Sequence, residues 1–140
     1  MDLFVKGEDV WVTSISDDPG SLGKTLGLLS DAGANLDFII SRRAPDEPET
    51  AVVFVTPLRA DHEVQAGDDA GFSVTRMTYS VRVEGENKPG IAAKLAGAVG
   101  DAGINMVGFS AAKLGARFVA HIRVETMEER EAVIKLLSAL

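Results

Sequence analysis

Val81 and Val83 alternate with Arg82 and Glu84, the period-two signature of a half-buried strand. Seventy residues earlier Trp11, Thr13 and Ile15 stand in the same phase. A Pro-Gly pair follows each strand. Leu22, Leu26 and Leu29 come after the first pair, and Leu95, Ala96 and Val99 after the second, each an apolar stripe at helical spacing. Proline suits the first helical position, where its missing N–H is no loss. Ala-Gly at 32–33 and 102–103 then stops the helix, the glycine taking a left-handed conformation.

The same grammar extends through both halves. Second strands are predicted from Leu36 to about Arg43 and from Met106 to about Lys113. Leu114-Gly115 reads as a hairpin turn into Phe118–Val124, and the looser APDEPE loop at 44–49 leads into Ala51–Val55. Thr126 as cap, with Glu129 three residues on and then Val133, Leu136 and Leu137, marks a final helix. Its counterpart after Thr56-Pro57 is weaker, and AGDDAG at 66–71 is expected to break it early. Between Pro19 and Asn35, eight of seventeen positions recur at an offset of 70 in a chain of 140, so the protein is two copies of one unit, 1–70 and 71–140.

The phase of alternation flips near Arg76, which marks a bulge or the seam between two strands. Phe72–Arg76 completes the first unit, but the second ends inside its helix at Leu140. The matching residues at offset 70 are Asp2–Lys6, at the other terminus. Leu3–Lys6 is therefore predicted to close the sheet of the second unit, so that terminal strands are exchanged between repeats. The fold class expected is α+β: two βαββαβ units of ferredoxin-like type, with antiparallel sheets and helices on one face.

Composition narrows the chemistry. The core is rich in aliphatic residues, with one Trp and one Tyr, and the absence of cysteine removes thiol nucleophiles and thiolate metal sites. That absence fits a reducing cytoplasmic setting. The start of the chain lacks a signal-peptide pattern, and no apolar run approaches a membrane span, so no membrane role is expected. Net charge is −7: residues 1–70 hold 14 acidic and 5 basic side chains (−9), residues 71–140 hold 7 and 9 (+2). Without a clustered basic face, nucleic acid is not an expected partner.

The repeated turns carry the candidate chemistry. Asp17-Asp18-Pro19-Gly20 with Gly33-Ala34-Asn35-Leu36, and Asn87-Lys88-Pro89-Gly90 with Gly103-Ile104-Asn105-Met106, resemble the ACT domain family over nearly the whole chain, twice. The resemblance implies a small module that binds amino acids and regulates enzymes, with ligand held where this turn meets a neighbouring unit. It places ligand contacts at Asp17, Asp18, Gly20, Ser21, Leu22 and Asn35, and at Asn87, Lys88, Gly90, Ile91, Ala92 and Asn105. Physics supports such a seat, because the first turn of a helix presents unpaired N–H groups and the positive end of its dipole to a carboxylate. Charge-assisted hydrogen bonds of ~1.5–3 kcal/mol each leave, after the cost of association, roughly −8 to −4 kcal/mol, or micromolar to millimolar affinity. The first turn is acidic and the second neutral to basic, which predicts unequal sites.

Local explanations compete with these assignments. Asp18 reads equally well as a helix cap, with Asn87 taking that role beside Lys88, a poor cap. Asn35 and Asn105 also suit a turn after glycine. GSLGKT at 20–25 suggests a phosphate loop, but Asp18 stands where glycine is needed and the second copy lacks the pattern. His62 and His121, the only histidines, are expected on the surface, and Arg42-Arg43 as a solvated strand end. No cofactor, metal site or nucleophile–base set presents itself. The expectation is a non-enzymatic amino-acid sensor, homodimeric through exposed sheet edges. Its alternatives are a regulatory subunit of a metabolic enzyme, of the aspartate kinase or acetolactate synthase type, and a structural dimer with a vestigial site.

Overall fold

In the computed structural model, which describes residues 1–140, the chain begins with strands β1 (Phe4–Glu8) and β2 (Trp11–Ser16). Helix α1 (Ser21–Asp31) is followed by β3 (Phe38–Arg43) and β4 (Thr50–Thr56). Helix α2 (Asp61–Asp69) and a two-residue β5 (Ser73–Val74) come next. The second copy runs β6 (Tyr79–Glu86), α3 (Ile91–Asp101), β7 (Gly108–Leu114), β8 (Arg117–Val124) and α4 (Met127–Ser138).

Two four-stranded antiparallel sheets result, ordered β3-β4-β2-β5 and β1-β6-β8-β7. Each has the order of a βαββαβ unit, but in the second the outer strand is β1. Phe4 pairs with Glu84 and Glu8 with Ser80, so the N-terminal strand closes the sheet of the C-terminal repeat. The compact units are accordingly Asp9–Thr75 and, in two segments, Met1–Glu8 with Arg76–Leu140.

Each unit buries one face of its sheet against its two helices. In the Asp9–Thr75 unit the core is Leu29, Val53, Val55, Leu58 and Phe72, with Trp11, Ile15, Leu22 and Leu26 partly buried around it. In the two-segment unit Val81, Val83, Phe118, Ala120, Ile122 and Val124 from the strands meet Ile91, Leu95, Val99, Val133 and Leu137 from the helices. Leu3 and Val5 add to this core from the exchanged segment.

Helix ends follow the sequence signals in part. Thr126 and Glu129 form a reciprocal capping box at α4. At the ends of α1 and α3 the glycines are left-handed (φ 85° at Gly33, 78° at Gly103). Paired bonds from Gly33 N–H to Ser30 O (2.9 Å) and Ala34 N–H to Leu29 O (3.1 Å) complete a Schellman stop. Three expectations fail. The prolines are not at the first helical position, since α1 and α3 begin two residues after them, at Ser21 and Ile91. AGDDAG does not break α2 early, because the helix runs to Asp69 and turns only at Gly71 (φ 90°). Gly67 stays inside it because the helix packs so closely there that a Cβ would stand 2.6 Å from Leu58 Cδ1.

The third failure is His121. Alternation places it on the face away from the helices, and it does lie there. Yet it is only 5% exposed, with Nδ1 2.6 Å from Glu8 Oε2. Strand exchange supplies that carboxylate, and a position read as surface becomes a buried polar contact.

Candidate functional site

The turn before each helix is set by its Pro-Gly pair. Ser21 N–H donates to Asp18 O (3.2 Å) and Ile91 N–H to Lys88 O (3.1 Å). With Gly20 at φ 89°, ψ −15° and Gly90 at φ 84°, ψ 3°, both are type II turns with proline at the second position and glycine at the third. Only glycine takes that third conformation without strain. The helix therefore starts from a left-handed glycine with no side chain capping it, at either copy. Neither Asp18 nor Asn87 acts as a cap. The first acceptor inside each helix is the glycine carbonyl, taken by Lys24 N–H and Lys94 N–H at 3.0 Å. That leaves the amides of Leu22 and Gly23, and of Ala92 and Ala93, with no helical acceptor.

These corners are open. Asp17, Asp18, Pro19 and Gly20 are exposed, as are Lys88, Pro89 and Gly90, while Ser21, Leu22, Asn87 and Ala92 are half-buried and Ile91 is buried. In the second copy the turn forms one wall of a surface depression of about 290 Å³. Asn87, Lys88, Gly90, Ile91 and Ala92 line it together with Pro89. Ala111, Ala112 and Lys113 of β7 and Phe118 of β8 form the opposite wall. Asn105 is not among them. It follows the far end of α3, whose eleven residues span about 16 Å at 1.5 Å each. Asn35 is likewise exposed beyond α1, its carbonyl 3.4 Å from Arg59 Nη1.

The two copies differ in charge as well as shape. Asp17 N–H bonds to Glu49 O and Asn87 N–H to Ala116 O, at 2.9 and 2.8 Å, so the backbones correspond. In the first copy Arg43 Nε then reaches back to Asp17 Oδ2 at 2.7 Å. That arginine remains a largely exposed strand end, but its carboxylate partner is now identified. Seventy residues on, Asn87 and Lys113 occupy the same two places, the first neutral and the second facing the depression. Sequence reasoning missed Lys113, although its offset from Arg43 was there to be read. No group of three or more His, Cys, Asp or Glu side chains is placed to hold a metal ion. No helix is long and apolar enough to cross a membrane.

The ACT domain family profile matches residues 79–140. No protein of curated function matches the chain in sequence. Among solved structures, protein BT0572 from Bacteroides thetaiotaomicron is similar at a TM-score of 0.76 and 18% identity, over 94% of this chain and 88% of that one. The ligand-free regulatory subunit of aspartate kinase from Thermus thermophilus follows at 0.66 and 19%, over 98% and 95%. Aspartokinase III of E. coli, in complex with aspartate and ADP, matches at 0.56 and 13% over 99% of this chain and 33% of its own. Residues 79–140 thus match the ACT domain family, and the chain as a whole has the tandem ACT fold.

Proposed function

We propose that the chain is a non-enzymatic regulatory protein that binds a small amino acid at the Asn87–Ala92 turn. One observation carries the reading: an uncapped helix start opens onto a depression edged by Lys88 and Lys113, neither of which is in an ion pair. The free amides of Ala92 and Ala93 and the two ammonium groups favour a carboxylate. Ala111, Ala112 and Phe118 offer apolar surface to a small side chain. In the first copy the Asp17–Arg43 pair already satisfies the corresponding charges, which favours one strong site per chain.

A thermal-shift screen of the twenty amino acids tests this. The expected result is a concentration-dependent rise in melting temperature with one or a few of them, abolished in Lys113→Ala. No shift with any of the twenty would leave the reading as a structural protein with a vestigial site.

A more specific role is supported by the similarity to the regulatory subunit of aspartate kinase along almost the full length of both chains. On this second reading the protein controls a separate enzyme of that type. Co-purification with a catalytic chain, weakened or strengthened by the amino acid found in the screen, is the expected outcome. A tagged chain that recovers no enzyme would exclude it.

A further inference from the structure

We propose that β1 is a releasable strap, latched into its sheet by Glu8 and bracing the turn that carries the candidate site. Glu8 Oε2 accepts a bond from Ser80 Oγ at 2.7 Å and lies 2.6 Å from His121 Nδ1. The Glu8 and His121 side chains are 8% and 5% exposed, so one buried oxygen joins three strands, β1, β6 and β8. Apolar contact and a backbone ladder with β6 also hold β1. Leu3 and Val5 meet the core and both are partly buried, while Phe4 is 66% exposed. A buried carboxylate with two polar partners is satisfied only when the strand is docked. Pulling it away takes from Ser80 Oγ its acceptor and separates His121 Nδ1 from the Glu8 carboxylate, so the contact at Glu8 resists release of the strand.

The other end of the strap reaches the site. Beyond the ladder, Leu3 lies on Gly85, where a Cβ would stand 2.8 Å from Leu3 Cδ2, so the absence of a side chain on β6 makes the seat. Met1, Asp2 and Leu3 then share a second depression of about 270 Å³ with Glu86 and Lys88. Lys88 is common to this depression and to the one at the Pro-Gly turn. The strap thus runs from Ser80 and His121 at the latch to a depression that Lys88 also lines. The consequence for binding rests on the site assignment above, whereas the strap itself does not.

Hydrogen exchange on the full chain tests both parts. Glu8→Ala is expected to speed exchange in residues 1–8 and 79–90 about hundred-fold, with residues 50–56 unchanged. Ser80→Ala removes one bond and is expected to give about a tenfold effect in the same segments, which decides the matter if Glu8→Ala does not fold. His121→Gln, which keeps a donor, should fall between wild type and Glu8→Ala. Unchanged exchange in 1–8, or equal acceleration in 50–56, would overturn the latch. Faster exchange in 1–8 with 86–90 unaltered would overturn the bracing. If no amino acid binds the wild-type chain the sensor reading fails, while the exchange data still decide whether the strap exists.

Discussion

Paired charges do different work at the two ends of this molecule's polarity scale. Glu84, on the face of its sheet away from the helices, takes Arg82 Nη1 at 2.6 Å and Arg117 Nη2 at 3.2 Å. The Arg82 hydrogen bond first, and the Arg117 bond second, hold its carboxyl below the ordinary value of 4.5. A carboxyl depressed in the folded state stabilises it above its unfolded pKa, and that stability is lost as pH falls through the lower, folded value. The side chain is 33% exposed, and solvent screening limits the gain to about 0.5 kcal/mol. Glu84→Gln should therefore lower urea-unfolding stability by about that much at neutral pH, and the deficit should shrink as the pH falls below the ordinary carboxylate range and Glu84 becomes protonated in both states. A deficit that persists in acid would mean that packing, not charge, is at stake. Glu8 and His121 show what was illegible at this scale. Their spacing of 113 residues gives no local signal, and only the assembled strand order brings them together. Asp17 and Arg43 were in the same position, separated by 26 residues and a helix. The turn glycines lay in plain view, but Pro-Gly was read as the start of the helix and not as the type II turn that precedes it.

Helices in this protein tolerate glycine for two opposite reasons, and substitution separates them. Gly67 in α2 is buried and faces Leu58 Cδ1, which belongs to the buried cluster of its unit. Gly97 in α3 is exposed with nothing within 4 Å of a built Cβ. Alanine at 97 should gain about 0.5–1 kcal/mol from lower unfolded-state entropy, raising the melting temperature by about 3 °C. Alanine at 67 gains the same but meets overpacking of about 1–3 kcal/mol, so a net fall is expected. Differential scanning calorimetry of the two variants reads both signs at once. The AGDDAG misreading has the same root. Glycine counted against a helix by propensity, while tertiary packing at Leu58 required it. Elements with clean periodicity or full caps, such as β8 and α4, were legible to within a residue or two. The start of α1 was misplaced because Pro-Gly was read as helix rather than as the turn before it.

At the scale of the molecule, the exchanged strand was legible because the repeat was one strand short at its end and one strand long at its beginning. Local pattern supplied the pieces and the count of strands supplied the pairing, since an antiparallel sheet with a missing edge leaves backbone groups unpaired. The charge and shape differences between the two turns were visible only as composition, and their outcome required the partners at 43 and 113. The ammonium of Met1 meets the carbonyl of Leu140 at 2.5 Å, so the first and last residues are neighbours. Chain ends that touch can be joined. A circular permutant that opens the backbone between Thr75 and Arg76 and splices 140 to 1 through a short glycine linker would read 76–140, 1–8, then 9–75. Both units would then be uninterrupted runs, and the crossover that now threads one through the other's sequence would become a simple tether. Such a permutant is expected to keep the native circular-dichroism spectrum and the β1–β6 pairing by NMR, and collapse of either would show that the order of synthesis, not the joined ends, secures the strand. If it folds, the Arg76–Glu8 half can be expressed by itself, and its ligand measured on a single module.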